Sequence, residues 1–208
     1  MKEYPSIPRG HAHIVKGVPV YGFDKLDGTM IRAEWERKKG FWKFGTKTCL
    51  LDDRGDAPWA EAPGIVRSKY ERDLHDIFRK ERWQKAVAFF EFWGRSSFAG
   101  RHEAGEPHDV TFLDVSPDKR GILLPQDFLK AFGKLDIPRL LHHGNATEPL
   151  LVQIEEGELE GMTFEGVVFK GAYVNPGRPM MFKWKNRAWL DKLRKYCQGD
   201  EKMFAQMA

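Results

Sequence analysis

The stretch that most constrains this chain is Ala86 to Trp93, a nearly continuous apolar run with a single acid, Glu91, inside it. Its short length and its Phe and Val content fit a buried strand. A carboxylate in such a strand needs a partner, a function or an edge position facing water, because burying an unpaired charge is costly. Three other places carry polar groups in similarly awkward settings. Glu165 stands beside Gly166 at the start of the strand-like run Phe164 to Lys170. Lys183 and Lys185 flank Trp184, and residues two apart on a strand share a face. Their ammonium groups therefore repel unless an anion lies between them. Lys25 follows the strand-like run Val18 to Phe23 and leads at once into Asp27-Gly28-Thr29. Taken alone, that last group also suits an ordinary surface turn.

The rest of the pattern is α+β. Met30 to Trp35 alternates, and Lys38-Lys39-Gly40 has turn chemistry before the β-like run Phe41 to Leu51, so the two form a hairpin. Tyr70, Leu74, Ile77 and Phe78 mark an amphipathic helix over 67–83. Val110 to Val115 reads as a strand and Gln126 to Leu135 as a helix. His142-His143-Gly144-Asn145 reads as loop, followed by a helical or mixed stretch through Leu159. Pro179 to Trp184 reads as a strand and Asn186 to Cys197 as a final helix. The first fifteen residues, with Pro5, Pro8 and Gly10, read as loop or arm. No internal repeat breaks the 208 residues, which suit one domain.

Composition adds limits. Apolar residues make up 41% and aromatics 13%, enough for a packed core and against wholesale disorder. Basic residues exceed acidic ones only by 34 to 30, so the overall charge says little about a partner. Its distribution says more: Lys183 to Lys195 holds six basic residues against one acid, Asp191, which fits a solvated helix face or a phosphate-binding end. Cys49 and Cys197 lack metal-ligand spacing and read as reduced thiols of a cytoplasmic protein. No apolar run approaches the ~18 residues of a membrane span. His11 and His13, like His142 and His143, lack the spacing of a structural zinc set and read as loop or surface residues.

The order Lys-x-Asp-Gly, Glu, Glu-Gly, Lys-x-Lys resembles the covalent nucleotidyltransferases, the polynucleotide ligases and mRNA capping enzymes. Lys25-Leu26-Asp27-Gly28 is similar to motif I of that superfamily, and Phe90-Glu91-Phe92-Trp93-Gly94 to motif III. Val110 to Val115 is similar to motif IIIa, Glu165 to Lys170 to motif IV, and Lys183-Trp184-Lys185 to motif V. The resemblance spans residues 21–187. It implies an adenylation domain of the ATP-grasp-like ligase type, with antiparallel sheets flanked by helices and covering residues 1–208. It also implies chemistry: Lys25 as the nucleophile that takes AMP from ATP, and Glu165 as the group holding Mg²⁺ or Mn²⁺. Lys183 and Lys185 would be catalytic, holding the phosphates and, together with the metal ion, lowering the Lys25 pKa. Asp24, Asp27, Gly28 and Lys47 would line the nucleotide pocket, Glu91 would bind the ribose, and Phe112 would stack on the base. Arg32, Lys170 and Arg187 would face nucleic acid. Arg95, Arg101 and His102, just past motif III, fit either contact with nucleic acid or a solvated loop.

The resemblance has two departures and a preference. Met30 stands where many relatives carry Arg or Asn, and Arg32, on the same strand face, is the candidate substitute. The basic residue after motif I is displaced, with Lys47 the nearest match. The twenty-three residues after Lys185 are too few for the OB fold that DNA ligases and capping enzymes append. That shortness, with the run Phe90 to His102, resembles small phage-type RNA ligases of the second kind. The expected substrate is nucleic acid with 5′-phosphate and 3′-hydroxyl ends, RNA favoured, and the expected setting is RNA repair by a monomer, in the host cytoplasm if phage-encoded. Lys-x-Asp-Gly itself is commoner in DNA ligases and capping enzymes. A minimal DNA ligase, a guanylyltransferase and a non-catalytic nucleic-acid-binding module therefore remain as alternatives.

Overall fold

The computed structural model describes residues 1–10, 17–51, 59–95, 97 and 105–208. His11, His13, Arg101 and His102 lie outside the described residues. The chain folds into two antiparallel sheets flanked by helices, the expected α+β class.

The first sheet has the order β7-β1-β8-β9, built from β7 (Leu140–Asn145), β1 (Pro19–Asp24), β8 (Gly166–Asn175) and β9 (Arg178–Lys185). The second has the order β4-β3-β2-β5-β6, built from β4 (Leu50–Leu51), β3 (Gly40–Gly45), β2 (Thr29–Glu36), β5 (Lys85–Trp93) and β6 (Asp109–Pro117). The segment that passes between the sheets after β1 is Lys25-Leu26-Asp27-Gly28.

Strand alternation sorts the side chains of the second sheet. Ala88, Phe90 and Phe92 of β5 enter a large core under α1 (Ala62–Lys80) and α2 (Pro125–Phe132), where Tyr70, Leu74, Phe78, Phe128 and Phe132 meet them. Each fully buried aromatic contributes ~1.5–3 kcal/mol. Phe89 and Glu91 point the other way, toward the first sheet. That sheet buries its outer face, with Val167, Phe169, Phe182 and Trp184, against α3 (Glu148–Glu156). Between the sheets the apolar packing is thin: Phe89, Ile122 and Met181 with Tyr4, Ile7, Met30 and Val87. That thinness leaves room for a polar cleft.

Several boundaries differ from the sequence reading. Helix α1 starts at Ala62, because Pro63 suits a first helical turn and Ala62, Pro63 and Val66 extend the buried stripe. His142 to Asn145 is not loop but part of edge strand β7, pairing Tyr21 with His143 and Val20 with Gly144. Its polar composition hid it, since an edge strand need bury neither face completely. A last helix, α5 (Glu201–Met207), starts at Asp200, whose carboxylate accepts from the Met203 N–H at 2.9 Å. It follows α4 (Arg187–Tyr196), capped by the Asn186 side chain. No helix among the described residues is long and apolar enough to cross a membrane.

Candidate active site

The polar residues singled out in the sequence converge between the sheets. Lys25 is fixed at its backbone, its N–H donating to the Gly166 carbonyl at 2.9 Å. Gly28 packs so closely on β5 that a Cβ there would lie 2.2 Å from the Phe92 carbonyl oxygen, so no larger residue fits. The Lys25 ammonium reaches across to Glu165 and sits 3.0 Å from both its carboxylate oxygens. Lys185 pairs with the same carboxylate and lies 3.6 Å from the centroid of the Trp189 ring. Lys183 projects from the same face of β9. The anion that the Lys183–Lys185 spacing demanded is thus Glu165, buried to 4% exposure.

One carboxylate serving several ammonium groups sets the electrostatics. Burial lowers the Lys185 pKa to about 7 despite Glu165, with Lys25 and Lys183 adding to the lowering. Burial, with Lys25 next in importance, lowers Lys183 to about 8. Lys25 goes the other way. Burial lowers its pKa, but Glu165, Glu91 and Asp27 together outweigh burial and leave it raised. The lowering expected from Lys183, Lys185 and a metal ion is not the net effect in the ligand-free protein: Glu165, Glu91 and Asp27 surround Lys25, and Lys183 and Lys185 are the groups whose pKa falls. Glu91 is not at a sheet edge. It sits on β5 between β2 and β6, and burial pushes its pKa up to about 8.

Lys25 stands where two cavities meet. One, of about 390 Å³, is lined by Lys25, Asp24, Glu91, Lys47 and Lys183, and by Met30 and Arg32 on one wall. The other, of about 320 Å³, is lined by Lys25, Asp27, Glu165, Lys183, Lys185 and Trp189. Both fall at the small end of ligand-site volumes. The first thus gathers Glu91 and Asp24, the second the cation cluster.

Three expected roles fail on geometry. Phe112 is fully buried in the aromatic core, 5.3 Å from the Phe90 and Phe128 ring centroids, and cannot stack on a base. A bulge in β6 puts Leu113 on the cavity wall instead. Arg32 does share a strand face with Met30, but its guanidinium is spent on backbone carbonyls. It donates to Thr46 at 2.8 Å and Lys47 at 3.1 Å, and more weakly to Met1 and Lys2. It holds the turn that carries Lys47 and does not project toward an acceptor strand. Lys170 is 5% exposed and bonds Asp114 at 2.6 Å, tying β8 to β6. Arg187 lies on the surface and pairs with Glu156 at 2.7 Å and Glu155 at 3.4 Å. Arg95 pairs with Glu61 at 3.4 Å. Asp24 lines the cavity, with one carboxylate oxygen accepting from the Thr163 N–H at 3.0 Å.

The sequence reading gave the first fifteen residues as loop or arm but assigned them no place at the site. Glu3 to Ile7 form one wall of the larger cavity. The arm is held by the Lys183 N–H donating to the Pro8 carbonyl at 2.9 Å and by Tyr4 Oη donating to Asp114 at 2.5 Å. The alternation of Pro with apolar residues in Tyr4-Pro5-Ser6-Ile7-Pro8 was the only signal, and it fits any extended arm.

No family model matches this sequence, and neither does any curated protein. Among solved structures, 26 chains match. A Naegleria gruberi RNA ligase variant with AMP and Mn aligns at a TM-score of 0.67 and 15% identity, over 92% of this chain and 58% of the other. The same RNA ligase with PPi aligns at 0.65 and 17%, over 94% and 58%. A further variant with ATP and Mn aligns at 0.64 and 16%, over 90% and 57%. The chain therefore spans somewhat under three-fifths of these structures' length, and at such identity the likeness is one of fold. The fold is that of the matched part of this RNA ligase.

Proposed function

We propose that this chain is an ATP-dependent polynucleotide ligase, acting on RNA ends, that works through a covalent Lys25–AMP. The observation that carries the reading is a lysine at the junction of two cavities, bound to the carboxylate that also engages Lys185. The fold shared with an RNA ligase solved with AMP, ATP and PPi supports it.

In this reading the nucleoside occupies the larger cavity, with Glu91 accepting from a ribose hydroxyl and the base against Leu113 and Val168. The phosphates extend past Lys25 toward Lys183 and Lys185. Lys25 must first lose its ammonium proton, and Glu165 is the strongest of the charges that retain it. Among the described residues no three acidic, His or Cys side chains gather to hold a metal ion. A single buried carboxylate does fit an ion that brings phosphate oxygens and water as its other ligands. At Glu165 such an ion supplies positive charge that competes with Lys25 for the carboxylate and favours the neutral amine. The Lys25 nitrogen then attacks the α-phosphorus. An N–P bond forms as the bond to the bridging oxygen of pyrophosphate breaks, and the leaving charge develops beside Lys183 and Lys185. A 5′-phosphate oxygen next displaces Lys25 from AMP. Finally, a 3′-hydroxyl attacks the activated end, forms the phosphodiester and releases AMP.

The test is incubation with divalent cation and α-labelled ATP or GTP, followed by nicked RNA and DNA duplexes with 5′-phosphate and 3′-hydroxyl ends. Label from ATP and sealing of RNA are expected. Label from GTP alone would make it a capping-type transferase, and faster sealing of DNA would make it a minimal DNA ligase. Absence of label after pyrophosphate treatment would leave a binding module.

A further inference from the structure

The face of the second sheet that carries Glu91 does not end at the nucleotide cavity. Along β5 it continues through Phe89 and Val87 to Lys85, six residues or about 20 Å from Glu91. There a second groove, of about 470 Å³, opens between Trp42, Lys85, Ser116 and Lys119. The arm runs between the two hollows: Lys2 lines the groove and Glu3 the nucleotide cavity.

Trp42 is displayed by an irregularity in the ladder. On β3, Lys43 lies opposite Glu34 and Phe41 opposite Trp35, so Trp42 is the extra residue of a β-bulge. Regular alternation would send one of two consecutive residues into the core. The bulge keeps Phe41 and Phe44 buried and leaves both Trp42 and Lys43 on the other side. The indole is 42% exposed, and the Lys39 and Lys43 ammonium groups lie 4.6 and 5.7 Å from its ring. Of the three acids that line the groove, two are answered within the protein, Glu36 by Lys39 and Lys85 and Glu34 by the Met1 ammonium, and the third, Asp118, is followed in the chain by Lys119 on the same lining. Ser116, 2% exposed, lines the groove with a hydroxyl that has no hydrogen-bond partner among the described residues.

A flat ring amid lysines, on the face that leads to the reacting centre, matches the way proteins hold unpaired bases and their phosphates. We propose that Trp42 and Lys43 form a distal docking site for a single-stranded segment of the polynucleotide, one base stacking on the indole while its other end reaches Lys25. This deepens the ligase reading and rests on it for the direction of the strand. The occupant is a polynucleotide and not an acidic protein segment, because the centre of the site is an aromatic face, which every base can use. A span of ~20 Å needs several nucleotides, so a short oligomer bound at the nucleotide cavity cannot reach it.

The experiment measures fluorescence anisotropy of 3-mer and 12-mer single-stranded RNA on the wild type, Trp42→Ala, Trp42→Phe and Lys43→Ala, with ATP labelling of each protein alongside. Trp42→Ala should weaken 12-mer binding about tenfold, the worth of one stacked base. Trp42→Phe should keep most of the affinity, Lys43→Ala should lower it and flatten its salt dependence, and 3-mer binding and ATP labelling should not change. Equal 12-mer affinity for wild type and Trp42→Ala would overturn the proposal, as would an equal loss for the 3-mer. ATP labelling with Trp42-independent binding sinks the docking site and leaves the ligase reading standing. Trp42-dependent binding of the 12-mer without labelling does the reverse.

Discussion

Two buried ion clusters lie between the sheets, and their residues are nearly the same. At one, Lys25 and Lys185 share Glu165, with Lys183 close by. At the other, Lys170 and Tyr4 share Asp114. The second is balanced: one buried cation meets one buried anion, 6% and 1% exposed at the side chains, and the arm's tyrosine completes the bonding. In the first, two ammonium groups share one carboxylate, the cluster opens into two cavities, and burial lowers the pKa of Lys183 and Lys185 while the surrounding carboxylates raise that of Lys25. A balanced cluster is a brace. What distinguishes the first is that its shared carboxylate opens onto cavities, since both clusters contain a strand lysine facing a carboxylate.

Deleting the lysine of each cluster should separate them most sharply. Lys25→Met should abolish ATP labelling while changing stability by less than ~1 kcal/mol, because Lys185 still neutralises Glu165. Denaturant titration checks the second half of that statement. Lys170→Met should unfold more easily by ~3–5 kcal/mol, because it strands a buried Asp114 carboxylate. Adding Asp114→Leu to it should recover much of the loss.

Glu91 offers a smaller effect with a definite sign. Its folded pKa, about 8, is above the ordinary 4.5, so the folded protein holds an extra proton between those values and loses stability as pH rises through them. Glu91→Gln should therefore be more stable than wild type at pH 9, by on the order of 2 kcal/mol, with the gain vanishing near pH 4. Melting temperatures across that range would show it, and a gain independent of pH would contradict it. Phe112→Leu should cost ~1–2 kcal/mol and leave ATP labelling unchanged, as a core residue must and a base-stacking one would not. Smallest of all, nucleotide binding at pH 8 should draw in a fraction of a proton as phosphates recharge Lys183 and Lys185. Calorimetry in buffers of different ionisation enthalpy would detect it.

The sequence revealed the chemistry of the first cluster better than that of the second. Glu91, Glu165, Lys183 and Lys185 were legible because each breaks a local rule, an acid in an apolar strand or like charges on one strand face, whereas Lys25 was legible only through its place in the motif order. The α+β class and most elements were legible from periodicity. Lys170, Arg32 and Phe112 were misread because their surroundings are set at long range. Asp114 lies fifty-six positions from Lys170, and the carbonyls that capture Arg32 come from a turn and from the arm. A bulge between Phe89 and Phe90 fixes which neighbour, Phe112 or Leu113, meets the cavity, and composition does not announce bulges. The pKa of Lys25 was misjudged for a related reason: the lysines near it were visible in the motif order, but the closeness of Asp27, Glu91 and Glu165 appears only in three dimensions.

The central claim is that the open cluster makes Lys25 a nucleophile. Intact-mass measurement after incubation with ATP and divalent cation, followed by peptide mapping, tests it directly. The account predicts one AMP per chain, on Lys25, removed by pyrophosphate and absent from Lys25→Met. An AMP on any other residue, or an unmodified chain after stripping with pyrophosphate and reloading with ATP, would contradict it.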